Sequence, residues 1–275
     1  MQTNYAIFKA RPNIFLSFFF SNPEMKTLPF IIVTLFSGAI AGIVLGLINQ
    51  AIVEPFIDKA ISIETQRQIA RGESVDTTQQ SQYRMWQKGG EVVAALIYGI
   101  SLSALFGIVF VYSRRSLPSF NNKRKALFLA AIMFFVVFLI PSLKYPANPP
   151  AVGNPSTIYY REMLYVGFIA VSGFSALALA LSYKGLQRYF PEKPTRLIVP
   201  LIYAVIMISA YIAFPSNPDK VTIPADLIIS FRIGSVFTIG IFWGVLGIIV
   251  GFFWDKFKLH ETNRIAPSSS DAFVS

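Results

Sequence analysis

Six apolar runs, each about long enough to cross a bilayer, dominate this sequence: Leu28 to Ile52, Glu91 to Tyr112, Ala126 to Leu143, Met163 to Tyr183, Leu197 to Phe214 and Asp226 to Trp254. A hydrocarbon core about 30 Å thick takes roughly 20 apolar helical residues to span. No water reaches that core to satisfy backbone N–H and C=O groups, so each run must satisfy its own and becomes a helix rather than an open sheet. The expected fold is all-α, a polytopic membrane helix bundle of about six spans. With 54% of residues hydrophobic, 14% charged and a mean hydropathy of +0.55, a soluble domain is excluded.

The flanks divide the chain into an N-terminal cytoplasmic or interfacial segment, 1–27, a membrane domain, 28–254, and a disordered tail, 255–275, carrying Ser268-Ser269-Ser270. Ile14 to Phe20 is too short for a signal-peptide core and lacks a small-residue cleavage site; Met25 offers a second start. The formal charge of +10 does not signal nucleic acid, because the bases gather between apolar runs as topology signals. Counted by side, fifteen lysines and arginines accompany the two termini and the connections after the second and fourth runs, against eight on the other side. Both termini are therefore expected in the cytoplasm of a multi-pass protein of the plasma or inner membrane.

Three runs carry small residues at helical spacing: Gly38, Gly42 and Gly46; Ala95, Gly99, Ser103 and Gly107; Gly240, Gly244, Gly247 and Gly251. Such faces let helices approach closely in lipid. Between the first two runs, Glu54-Pro55 opens an amphipathic segment to Ala70 with Phe56, Ile57, Ala60 and Ile61 on one side. An exposed polar loop is expected from Arg71 to Gln82, then the interfacial anchors Tyr83, Arg84, Trp86 and Lys88, with Gly89-Gly90-Glu91 opening the second span.

The third run, interrupted near its end by Pro141, leads into Lys144-Tyr145-Pro146-Ala147-Asn148-Pro149-Pro150-Ala151-Val152-Gly153, followed by Asn154-Pro155 and Arg161. Proline fixes its own φ and pushes the preceding residue to extended backbone, so this stretch is stiff and leaves its carbonyls unclaimed by any helix. It reads either as a rigid turn or as a lid or ligand platform. The chain leaves the membrane at Pro55, Pro141 and Pro215 and re-enters after Tyr83-Arg84, Tyr160-Arg161 and Phe231-Arg232. That order suggests three repeated helical hairpins; alternatively the arginines only anchor helix ends.

No cysteine is present and one histidine, His260, so a thiolate or polyhistidine metal site is excluded. No phosphate-binding loop, nucleophile and base, or zinc-protease spacing occurs, and the chain does not read as an enzyme. Oxygen ligands collect near the expected outer side: Glu54, Asp58, Glu64, Glu91, Glu162 and Asn148. An ionisable group near the hydrocarbon is expensive and faces a partner or water. Glu54 and Glu91 are thus the leading candidates. Equally, Glu54 reads as an ion-pair partner of Lys59 or Lys88, and Glu91 as an acid at its helix N-terminus.

Glu54-Pro55-Phe56-Ile57-Asp58-Lys59-Ala60-Ile61 with Glu64, and above all the proline run ending in Arg161, resemble the CbtA family of probable cobalt transporter subunits, from about Lys26 to Trp254. The resemblance implies a multi-span inner-membrane subunit for cobalt uptake in support of cobalamin synthesis. Cobalt(II) would be cargo, with no permanently bound cofactor. Besides the lipid bilayer, a small single-span, histidine-rich CbtB-like partner is implied, and a homo-oligomer is compatible with it. Cobalt(II) favours imidazole and mixed nitrogen and oxygen ligands; Glu54, Glu91, Asp58, Glu64 and Asn148 are the metal candidates of this chain. Tyr145, Pro146, Pro149, Pro150, Gly153, Arg161, Arg84 and Arg232 would shape the path or its loops. A non-transporting membrane scaffold and a small-solute permease are the rival readings.

Overall fold

A computed structural model describes residues 26–259 apart from 115, 116, 118–120, 151 and 220; the Ile14–Phe20 run, His260 and the serine tail lie outside the described residues. The elements are α1 (Thr27–Ile52), α2 (Glu54–Ala70), α3 (Thr77–Ser113), α4 (Asn122–Met133), a π-helical turn (Phe134–Leu139), α5 (Ile140–Lys144), a short 3₁₀ turn (Pro155–Thr157), α6 (Ile158–Leu186), α7 (Glu192–Ala213) and α8 (Ala225–Lys256). Every described element is helical. Six segments are long and apolar enough to span a membrane: α1, α3, the continuous α4 to α5, the 3₁₀ turn with α6, α7 and α8. This is a multi-pass membrane protein.

Its core lies where α1, α3, α4 and α8 meet. Phe30, Phe106, Phe110, Trp243 and Trp254 are fully or almost fully buried there, with Trp254 edge-on to Phe30 and Phe110 at centroid distances of 5.5 and 5.1 Å. Edge-to-face packing sets the positive ring edge against the negative face of its neighbour. The first two small-residue stripes are the two halves of one antiparallel seam. A Cβ added at Gly99 would fall 2.8 Å from Gly42 Cα, and one at Gly46 would fall 2.9 Å from Val92 Cα, closer than real side chains come. In lipid no hydrophobic effect drives helices together, so this backbone approach supplies the dispersion contacts. The third stripe is used only in part. Gly247 and Gly251 press on Ala130 and Lys123 of α4, Gly240 has ordinary room, and Gly244 opens onto space.

The expected loop from Arg71 to Gln82 is shorter than that. Asp76 accepts hydrogen bonds from the Thr78 and Gln79 N–H groups, both at 3.0 Å, and starts α3 at Thr77. An N-cap carboxylate satisfies donors the first turn cannot. From there α3 runs unbroken through Gly89-Gly90 for 37 residues, roughly 55 Å at 1.5 Å per residue. That exceeds the hydrocarbon thickness, so α3 projects past the membrane. Beside it, α2 lies over the same end: Phe56, Ala60 and Ile63 pack on Val152, Ile223, Leu227 and Ile228.

Pro141 does not break the third span. In a regular α-helix its ring would meet the carbonyl four residues back and it has no N–H to donate; the chain instead widens into the π turn just upstream. The Val136 carbonyl accepts from Ser172 Oγ of α6 at 2.5 Å, and that hydroxyl meets Tyr203 OH of α7 at 2.7 Å. The freed acceptor thus ties three spans together. The spans do not pack as three like hairpins: α1 pairs with α3, but α7 lies along α6 and not along α8.

Candidate functional site

All the polar candidates gather at one end of the bundle, where α1 ends, α3 projects and the two proline loops cross. Glu54 is placed there by the α1–α2 break, as the first residue of α2. Proline at the second position lacks an N–H that the first turn could not have bonded anyway. Glu54 is 5% exposed. Its carboxylate accepts a short hydrogen bond from Arg84 Nη2 and stands 3.9 Å from Lys88 Nζ. Arg84 Nη2 also donates to Asp58 at 2.9 Å, and Lys88 Nζ donates to Asp58 at 2.7 Å. Desolvation pulls the Asp58 carboxyl upward, but the hydrogen bonds and charges of Lys88 and Arg84 outweigh it and hold it below the ordinary aspartate range.

Glu54 is therefore ion-paired, with Arg84 rather than Lys59 as its close partner. Glu91 is not a helix-end acid. It lies well inside α3, its carboxyl facing Glu54 and Asn49. Glu91 Oε2 and Asn49 Oδ1 are buried with no hydrogen-bond partner among the described residues. Nearby, Gln50 Nε2 donates to the Lys88 carbonyl at 2.6 Å, fixing the α1 exit against α3. The cluster thus sets three carboxyl groups against two cations.

The proline run forms a second polar layer. Tyr145 OH donates to the Pro215 carbonyl at 2.6 Å and Lys144 Nζ to the Tyr211 carbonyl at 2.8 Å, tying the run to the end of α7. Pro149 is buried, Pro146 half-buried and Pro150 exposed. Arg232 of α8 donates from Nη2 to Asn148 Oδ1 at 2.7 Å and from Nε to the Ala147 carbonyl at 3.2 Å. Reciprocally, Arg161 of α6 pairs with Asp219 of the second proline loop, Nε to Oδ2 at 2.9 Å, and Thr157 Oγ1 donates to the same oxygen at 2.7 Å. Gly153 sits against this pair at φ +100°, where a Cβ would lie 2.5 Å from Asp219 Oδ2 and 2.7 Å from Arg161 Nη1. Only glycine meets both demands.

Of the predicted metal candidates, Glu54, Asp58 and Glu91 come together. Asn148 lies in the other layer with its oxygen engaged by Arg232, and Glu64 makes no ion pair among the described residues. Glu162 is exposed and leaves Arg161 to Asp219. Sequence reasoning missed Asn49, Lys88 as the Asp58 partner, and Asp219. Asn49-Gln50 at a span exit and Asn217-Pro218-Asp219 between prolines were the available signals.

A family model described as "Probable cobalt transporter subunit (CbtA)" matches residues 28–255. The chain belongs to the CbtA family. The match takes in all six spans, α2 and both proline loops, so the polar end lies wholly within it. No curated protein and no solved structure matches the chain. Among the described residues of this CbtA member, no three His, Cys, Asp or Glu side chains converge closely enough to hold a metal ion together. What the polar end offers instead is a partly neutralised set of oxygens at the mouth of the α1–α3 seam.

Proposed function

We propose that this CbtA chain is the membrane-spanning subunit of a cobalt(II) uptake system of the plasma or inner membrane, serving cobalamin synthesis. In this reading residues 28–254 are the transport domain, both termini are cytoplasmic and the proline loops face outward. The observation that carries it is the pair of buried, unpartnered oxygens, Glu91 Oε2 and Asn49 Oδ1, beside Glu54. A buried acceptor without a donor is costly, and a cation arriving between such oxygens removes that cost. Arg84 serves Glu54 as a resident cation. As metal arrives, Arg84 moves onto Asp58, which it already touches.

A loose set of oxygens suits transit better than storage, since a conducted ion must leave as readily as it enters. Imidazole ligands come from a single-span, histidine-rich CbtB-like partner, because the described part of this chain has none. The membrane potential favours inward movement by about 2.3 kcal/mol per charge per 100 mV, and a divalent ion gains roughly twice that. The lack of converging metal ligands favours one rival, a non-transporting scaffold for the partner. The test is radiolabelled cobalt uptake by metal-starved cells expressing the chain, with and without the partner. Glu54→Ala, Glu91→Ala and Asn49→Ala are compared at equal membrane abundance. Loss of uptake in all three supports an oxygen path; full uptake in Glu91→Ala and Asn49→Ala refutes it, and no uptake in any combination leaves the scaffold.

A further inference from the structure

The opposite end of the bundle carries a feature with no part in that path. Between α1, α4 and α8 lies a groove of about 370 Å³ walled by Ile40, Leu127, Ile248, Ile249, Phe252 and Phe253, with Lys123 and Arg124 at its rim. Leu127, Ile248 and Phe252 of its walls are exposed on helices apolar enough to span, so the groove faces outward from the bundle, where lipid would lie. Lys123 and Arg124 are exposed and have no carboxylate within ion-pair distance among the described residues. Lys123 Nζ stands 5.1 Å and Lys256 Nζ 5.7 Å from the Phe252 ring centroid, so a third cation shares that rim. Asp255, the acid next to Lys256, is engaged by Asn122 Nδ2 at 2.8 Å. The rim is cationic, and the walls below it are hydrocarbon.

We propose that this groove is a binding site for an anionic glycerophospholipid, with its phosphate between Lys123 and Arg124 and an acyl chain laid along Leu127, Ile248 and Phe252. The charge layout selects the occupant. Basic rims between membrane helices bind acidic headgroups, and a zwitterionic lipid would bring its own ammonium against the exposed cations of Lys123 and Arg124. A soluble anion would gain the rim but leave the apolar walls unfilled. Held there, the lipid bridges α4 and α8 on the lipid side of the contact that Gly247 and Gly251 make possible.

The test is native mass spectrometry of the full chain released from nanodiscs of mixed phosphatidylglycerol and phosphatidylcholine. Wild type is expected to retain phosphatidylglycerol preferentially. Lys123→Ala with Arg124→Ala should lower that preference by about twenty-five-fold, from roughly fivefold for each cation near an acidic headgroup. Both positions are exposed, so the fold should tolerate the change. Should the double variant not be recovered, Ile248→Trp fills the groove from a 57% exposed position while keeping both cations, and should lose the lipid as well. The control Arg188→Ala with Lys193→Ala removes equal charge from another connection. Equal loss in the control would mean bulk attraction only and overturn the site, as would unchanged retention in either groove variant. Displacement by millimolar inorganic phosphate would show a small-anion site and overturn the lipid assignment.

Discussion

Removing Arg84 should hurt this protein far more than removing its partner, because the two deletions leave different charges stranded. Arg84 and Glu54 have side chains only 15% and 7% exposed. Breaking a buried ion pair from one side costs about 3–5 kcal/mol. With Glu54→Gln, Arg84 keeps Asp58 at 2.9 Å and the isosteric amide still accepts from it, so the loss falls to about 1–2 kcal/mol, near that of one charge-assisted hydrogen bond. With Arg84→Met, Glu54 keeps only Lys88 at 3.9 Å and faces Glu91 across the gap, so the full range of about 3–5 kcal/mol applies. The assay is unfolding free energy in bicelles by steric trapping, with Glu54→Gln, Arg84→Met and the double variant forming a double-mutant cycle. Equal losses for the two single variants, or a coupling energy near zero, would refute the reasoning.

Gly42→Ala and Gly99→Ala should each destabilise by about 1–3 kcal/mol as α1 and α3 are forced apart, whereas Gly173→Ala, with open space at its Cβ, should be neutral or gain up to about 1 kcal/mol; thermal unfolding in detergent separates the two classes. Gly153→Ala should cost at least about 1 kcal/mol from its positive φ alone, and should raise protease cleavage within 144–157 if the clasp to Asp219 loosens as expected. Asp58 has a folded-state pKa below its unfolded value, so its stabilisation is present above the ordinary aspartate range and is lost as pH falls through the depressed value. The melting-temperature gap between wild type and Asp58→Asn should therefore be widest near neutrality and close in acid. Ser172→Ala removes a donor from the Val136 carbonyl and should cost about 1–2 kcal/mol, with Tyr203→Phe less than additive in the same assay.

The spans were legible because lipid forces a helix onto any long apolar run, and the limits read at Ile52, Leu143 and Phe214 fall within a residue of the observed helix ends. The glycine stripes were legible as contact faces, yet nothing in their spacing says which face meets which. Gly244 shares the period of Gly247 and Gly251 but meets nothing. Gly89-Gly90-Glu91 reads as the opening of the second span, but the Asp76 cap starts the helix upstream at Thr77 and carries it through the two glycines despite their poor helix propensity. Within the site, Glu54 and Glu91 stood out as acids beside apolar runs. Their environment did not, since Arg84 lies 30 residues from Glu54 in the chain and Asp219 lies 62 residues from Thr157. Pairings at such separations belong to the tertiary fold.

The π turn at Phe134–Leu139 makes the winding of the third span, as well as its chemistry, a determinant of the outer surface. A π turn holds one more residue than the α turn it replaces, and Pro141 is what holds it open, so Pro141→Ala would let the same residues rewind into regular α-helix. Everything downstream to Tyr145 would then turn by about 100° about the axis, one residue's share of a 3.6-residue turn. Lys144 and Tyr145 would point away from the Tyr211 and Pro215 carbonyls, unlatching the proline run from α7 although every side chain that fastens it is still present.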